Sequence, residues 1–176
     1  GFKLVGGNPL ELEELISLID PKEGPDFITI DGGEGGTGAS PASLIDYCGL
    51  PLFDALPVLV KLLRDYKLYD EIEIIASGKL ITPDQVALAL AHGAKFVTSA
   101  RGFMFALGCI QALKCNQNVC PAGIATDDPK LTRGLQPDAK AYAVARYVER
   151  MEYEVGVIAH SCGVESPRKL TLDNVR

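Results

Sequence analysis

IIASGKLITPDQVALALAHGAKFVTSARG, residues 74–102, holds a whole strand–loop–helix–strand unit, and its pattern decides the fold class. Glu73–Ala76 is β-rich and of buried-strand length. Ser77-Gly78-Lys79 breaks the run. Thr82 then stands as an N-cap, Pro83 takes the first helical position where its missing N–H costs nothing, and Gln85 is placed to close a capping box. The helix VALALAH follows and stops at Gly93, the place for a left-handed residue just past a helix end. Phe96–Ser99 is the next strand, and Ala100-Arg101-Gly102 and an apolar stretch to Leu107 come after it. A strand, a helix and a strand in this order make a parallel βαβ unit.

The same unit recurs towards the N-terminus. Phe2–Val5 (FKLV) reads as a strand, followed by Asn8 as a cap, Pro9 at the first helical position and Glu11 set to complete a capping box. Leu12, Leu15, Ile16 and Ile19 give that helix one apolar face. Phe27–Ile30 (FITI) is a second strand that ends at Asp31 and opens the loop GGEGGTG, residues 32–38; Ser40-Pro41 then starts a short helix. A further helix is expected over Ala55–Tyr66, with Pro57 tolerated in its first turn. About Asp138–Ala159 the tail reads as one amphipathic helix packed outside the sheet. The expected fold class is therefore α/β, with about four βα units making the C-terminal half of a TIM (β/α)₈ barrel, plus a cysteine loop and a C-terminal helix. The segments divide as 1–108, 109–126 and 127–176. A small open doubly wound sheet is the competing architecture. The special residues follow strand C-termini in loop after loop, as on a barrel's catalytic face, and this favours the barrel half.

Composition limits the partners. The chain has 176 residues, is 47% hydrophobic and carries a net charge of −6 with no basic block, which argues against nucleic acid and against an anionic membrane surface. Its apolar stretches are strand-sized or broken by charge, too short to span a bilayer. Because it begins at Gly1 rather than Met, the chain is expected to be an excised piece. Five cysteines is an odd number, unlike a secreted disulfide scaffold, and a reducing cytoplasm is the expected compartment.

Three loops look suited to an anionic ligand. Ser77-Gly78 and Ala100-Arg101 follow the last two strands, where barrels commonly hold phosphate on backbone N–H groups. Glycine permits close backbone approach, and Arg101 adds a charge-assisted bond. The plainer alternative makes Gly78 a turn residue and Arg101 the partner of a surface acid. The loop after Asp31 is neither a dinucleotide fingerprint nor a Walker loop, and either serves a binding site or is a solvated surface loop. Lys3 is either a snorkelling edge lysine or a cation at the mouth of the site. His92 and His160 lack the spaced partners of a catalytic triad or a zinc helix, and Cys48 and Cys162 read as core fillers.

The strongest local signal is Cys109-x₅-Cys115-x₄-Cys120-Pro121. Structural zinc favours paired C-x₂-C knuckles, which this run lacks. Iron–sulfur clusters accept wider spacing, often with proline after the last ligand. Three close thiolates suit a cluster missing one corner, unless Cys48 or Cys162 supplies a fourth; buried structural cysteines are the alternative.

DGGEGGTGASP (31–41), IIASGKLITPDQVALALAHGAKFVTSARGFMFALGCIQALKCNQNVCPAGIAT (74–126) and the GFKL start together closely resemble the FMN-binding synthase domain of glutamate synthases and glutamate-synthase-related proteins. The resemblance covers nearly the whole chain. It implies FMN and a 3Fe-4S cluster as cofactors, with Cys109, Cys115 and Cys120 as the cluster ligands. It implies that Lys3 lies near the flavin and a 2-oxo-acid substrate as the catalytic lysine. Asp31, Gly32, Gly35, Gly36, Ser77, Gly78, Lys79, Ala100 and Arg101 are the implied flavin-binding residues, alongside Lys3. The implied reaction takes electrons through the cluster to FMN and reduces a 2-iminoglutarate, formed from 2-oxoglutarate and ammonia or an amine, to glutamate or an N-substituted glutamate. The implied partners are an N-terminal barrel half, on the same or another chain, and an electron-donor protein. A cluster-bearing electron-transfer or structural half-barrel without its own flavin is the alternative. Glutamate synthases usually carry His-Asp where this chain has Gly33-Glu34, Trp-Glu where it has Leu52-Phe53, and glutamine where it has Asp127. These departures favour the glutamate-synthase-related branch.

Overall fold

Four short strands lie side by side in chain order: β1 (Phe2–Val5), β2 (Phe27–Asp31), β3 (Glu73–Ser77) and β4 (Phe96–Thr98). All pairs are parallel, with Lys3 opposite Thr29, Asp31 opposite Ser77 and Ser77 opposite Thr98. The computed structural model describes residues 1–35, 43 and 48–175. The helix expected at Ser40-Pro41, and the candidate Gly36, lie outside the described residues.

The period-two alternation of strand side chains sorts the sheet into two unlike faces. Ile28 and Ile30 of β2, with Ile74 and Ala76 of β3, are buried against the helices. Lys3, Val5, Phe27, Phe96 and Thr98 point to the other face and are exposed, with the Arg168 guanidinium 5.0 Å over the Phe96 ring. A doubly wound sheet reverses its strand order at a switch point and carries helices on both faces. Among the described residues, this sheet does neither. It is one half of a (β/α)₈ wall, curved by its helices on one side and not closed on itself.

Local sequence explains most helix boundaries. In α1 (Pro9–Ser17) the Asn8 side chain accepts from the Leu10 N–H at 3.0 Å. The capping box expected from Glu11 is not formed among the described contacts, because Asn8 takes the second amide rather than the third. In α3 (Pro83–Ala91) the Thr82–Gln85 box is present in full, and Gly93 adopts φ +103 beyond the helix end.

The second helix, α2 (Leu52–Asp65), corrects the expected boundaries. It begins three residues before Ala55, so Pro57 sits inside the helix rather than in its first turn. Proline there has no N–H for the Phe53 carbonyl. Two things offset that loss: Leu52, Leu56, Leu59 and Leu63 are wholly buried, and the leading Leu52 N–H is held by the Glu34 carboxylate at 2.9 and 3.1 Å. A cap supplied from eighteen residues away leaves no local signature.

Beyond β4 come α4 (Ala100–Ala106), a short helix α5 (Pro129–Thr132) capped by Asp128, and α6 (Pro137–Ser161). As expected of the tail, α6 packs on the outside, against α3 and α4. Its Val155 joins the main core, and Ala159 forms a second small core with Ala87, Ala91 and Leu170. Cys162 packs against that second core, but Cys48 is exposed and is not a core filler. His92 ends α3 against the Phe53 ring, 5.8 Å between centroids, and burial holds its pKa below the ordinary value.

Candidate functional site

Parallel strands all end at the same rim, so every βα loop opens there. Asp31-Gly32-Gly33-Glu34-Gly35, Ser77-Gly78-Lys79 and Ala100-Arg101 become neighbours although dozens of residues separate them in the chain. The Gly32 N–H donates to the Ser77 carbonyl at 2.8 Å, and Gly33 to Leu50 at 2.8 Å. Gly33–Gly35 winds into a single 3₁₀ turn, which Glu34 fastens to the start of α2. Backbone and carboxylate contacts thus hold Gly32, Gly33 and Glu34 in place.

Gly78 is required by conformation and by crowding. Its φ is +149, and a Cβ there would lie 3.1 Å from both Gly32 N and Leu52 Cβ. Gly35 packs just above, with a would-be Cβ 3.2 Å from the Gly78 Cα. The glycines therefore let two loops approach each other. That is a structural reason for Gly78 that holds whatever ligand the rim carries. Lys79 follows with φ +48, a left-handed conformation uncommon outside glycine, and both Lys79 and Arg101 have partners within the chain.

Lys3 lies on the uncovered face of β1 and forms an ion pair with Asp31, one strand over. Asp31 is mostly shielded, at 14% side-chain exposure, whereas Lys3 is 59% exposed. The lysine is therefore aimed at the barrel interior side of the sheet rather than along an outer edge.

The cysteine run forms the floor and wall of a cavity of about 310 Å³. Cys109, Cys115 and Cys120 all line it, together with Gly35, Ala100 and Arg101. Met104, Phe105, Ile110 and Leu113 make the rest mainly apolar. The structure thus brings part of the glycine loop and the β4 loop to the cysteines. It leaves Lys3, Asp31, Ser77 and Gly78 outside that cavity, on the neighbouring part of the rim. Among the described residues no three His, Cys, Asp or Glu side chains converge tightly enough to hold a single metal ion. Thiols spaced around a cavity suit a multi-atom cluster, whose ligands stand apart by the width of the cluster.

The loop's backbone is built around sulfur. Amides of Ala125 first, then of Ile124, Ala122 and Gly123, point at the buried Cys120 thiol and draw its pKa down, which favours thiolate. Cys109 Sγ accepts from the Gln111 N–H at 3.5 Å. Gln111, Leu113 and Asn118 all have φ between 53 and 59. For Gln111 and Leu113 this costs about 1–2 kcal/mol each, asparagine adopting it more readily, and strain of this kind gathers where function fixes the backbone. Asn118 also locks the end of the loop: its Oδ1 accepts from Asp127 N–H at 2.9 Å and its carbonyl accepts from the Thr126 hydroxyl at 2.7 Å. The donor set and the amide nest fit an iron–sulfur cluster.

Sequence reasoning passed over Glu34 as a cap and passed over the short helix α5. It also passed over Tyr147, whose phenol reaches both the β3 and β4 loops. One signal for the tyrosine was available: Gly102 inside a helical run marks a close approach.

A parallel half-barrel with glycine loops and a cysteine-lined cavity on its C-terminal rim belongs with the (β/α)₈-barrel proteins that keep their ligand sites on that face. The chain belongs to the glutamate synthase family, since the family model described as the conserved region in glutamate synthase matches residues 1–165. It is 50% identical over 177 residues to the glutamate synthase large subunit-like protein YerD of Bacillus subtilis, covering 99% of this chain and 34% of that protein. It is 36% identical over 145 residues to the archaeal glutamate synthase (NADPH) of Methanocaldococcus jannaschii, covering 82% and 28%. A glutamate synthase large subunit-like protein of Rhizobium meliloti is 30% identical over 158 residues, covering 81% and 36%. The chain spans about a third of the length of these curated relatives.

Proposed function

We propose that the chain is the flavin-phosphate and cluster-bearing half of a glutamate synthase-type oxidoreductase, whose complete barrel reduces 2-iminoglutarate to glutamate or an N-substituted glutamate. The observation that carries this is the cavity where Cys109, Cys115 and Cys120 meet Gly35, Ala100 and Arg101. Residues 1–108 supply the half-barrel and its rim, 109–126 the cysteine loop and 127–176 the helical extension. When bound, FMN would supply hydride to the imino acid and a 3Fe-4S cluster would supply single electrons. Cys109, Cys115 and Cys120 would hold the cluster as thiolates, the backbone amides around Cys120 lowering its pKa from the ordinary thiol value.

The β3 and β4 loops, with Ser77, Gly78, Lys79, Ala100 and Arg101, would grip the FMN phosphate and ribityl. Asp31, Gly32, Gly35 and Gly36 would lie against the flavin, with Asp31 orienting Lys3. The Lys3 ammonium would hold the substrate carboxylate or favour negative charge on the bound ring, since a cation in a partly dehydrated site strongly stabilises a developing anion. An N-terminal barrel half must cover the bare sheet face, and an electron-donor protein must reach the cysteine loop. A reducing cytoplasm suits free thiols of this kind. No described helix is long and apolar enough to cross a membrane.

The test uses the full-length protein, purified without oxygen. Its non-covalent flavin should be FMN, and the oxidised protein should give the EPR signal of a three-iron cluster. Cys115→Ser should abolish that signal and leave the flavin. Stoichiometric zinc without iron would overturn the cluster assignment, and a cluster without flavin would favour a pure electron-transfer role.

A further inference from the structure

We infer that Tyr147, on helix α6 outside the sheet, is a positioning residue that sets the spacing of the β3 and β4 loops and thereby their grip on a phosphate group. The inference rests on the flavin-phosphate site proposed above. The phenol oxygen donates to the Ile81 carbonyl at 2.8 Å and lies 2.9 Å from Ser99 Oγ. A carbonyl only accepts and a phenol has one proton, so that proton goes to Ile81. Ser99 must then donate to Tyr147, giving one directed chain from Ser99 through Tyr147 to Ile81.

The two ends of that chain are well placed. Ser99 immediately precedes Ala100-Arg101, and its side chain makes no capping bond to α4. Ile81 closes the loop that begins at Ser77-Gly78-Lys79, and its own N–H is held by Gln85 Oε1 at 2.9 Å at the head of α3. A single hydroxyl therefore joins the loops that follow two different strands. The surroundings are shaped to admit it: a Cβ on Gly102 would stand 1.9 Å from the Tyr147 oxygen, and the ring meets Phe103 edge-on at 5.4 Å. Glycine at 102 is thus the space that the tyrosine occupies. Without the phenol oxygen, the Ile81 carbonyl and the Ser99 hydroxyl both lose their partner, and nothing else described spans the gap between the loops at that point.

Full-length protein stripped of flavin and titrated with FMN and with riboflavin, followed by flavin fluorescence, tests this. Tyr147→Phe keeps the ring against Phe103 and removes both hydrogen bonds. The expected result is an FMN Kd raised about 10-fold, the scale of a lost hydrogen bond with its partner left unpaired. Riboflavin carries no phosphate, so its Kd should stay within about twofold. Ser99→Ala leaves the tyrosine–Ile81 bond in place and should show a smaller loss in the same direction. Equal weakening for both flavins would mark Tyr147 as a general stabilising residue and overturn the inference, as would an unchanged FMN Kd. Failure of the unaltered full-length protein to take up FMN at all would overturn the flavin assignment, and this inference with it.

Discussion

At the scale of single residues, Lys3 pairs with Asp31 of the neighbouring strand while its own side chain stays 59% exposed. The pair is half-exposed, so its own contribution to folding is small. Its interest is in where it holds the ammonium. In the full-length enzyme, Lys3→Met should keep FMN and the cluster while cutting 2-oxoglutarate-dependent turnover by about 10²-fold or more, the scale of one lost electrostatic donor. Asp31→Asn, which leaves the ammonium in place but loosens it, should cost less. Unaltered turnover in Lys3→Met would make the lysine a strand residue and nothing more.

At the scale of elements, α2 shows how a loop and a helix depend on each other. The two Glu34 carboxylate oxygens hold the first amide of α2. A carboxylate at a helix N-terminus also meets the positive end of the helix dipole. Glu34→Ala should lower stability by about 1 kcal/mol, as for other lost N-caps, and so lower Tm by roughly 2–4 °C in a domain of this size. Glu34→Gln keeps an acceptor without the charge and should fall between the two. Thermal melts followed by circular dichroism would read the series. Identical melts for all three would mean that the burial of Leu52, Leu56 and Leu59 alone starts the helix.

At the scale of the whole molecule, the helix side of the sheet is buried and the other side is largely open, although Thr29 on it is buried. Val5, Phe27 and Phe96 are 51%, 39% and 46% exposed on the other, an apolar surface that a closed barrel fills with layers of side chains. The isolated 176-residue chain should therefore bind a hydrophobic dye such as ANS and self-associate in sedimentation experiments, whereas the full-length protein should do neither. The double substitution Val5→Thr and Phe96→Thr should reduce both effects. A monomeric isolated chain without dye binding would show that this face needs no cover.

Several features were determined by the sequence alone, because the forces behind them are local. The four strands appear where β-rich runs predict them, and Thr82, Pro83, Gln85 and Gly93 fix α3 through bonds within one turn of chain. The C-x₅-C-x₄-C spacing marked the cysteine loop for the same reason, since its three cysteines are close in the chain. The tertiary structure decided whatever depends on residues far apart in sequence. Glu34 moved the start of α2 back to Leu52, which put Pro57 inside the helix. Parallel strands brought Gly35, Arg101 and Cys120 to one cavity, and α6 carried Tyr147 to two loops at once. A period or a cap is written in neighbouring residues, but a contact across the sheet exists only after the strands have chosen their order, and no stretch of sequence spells that out.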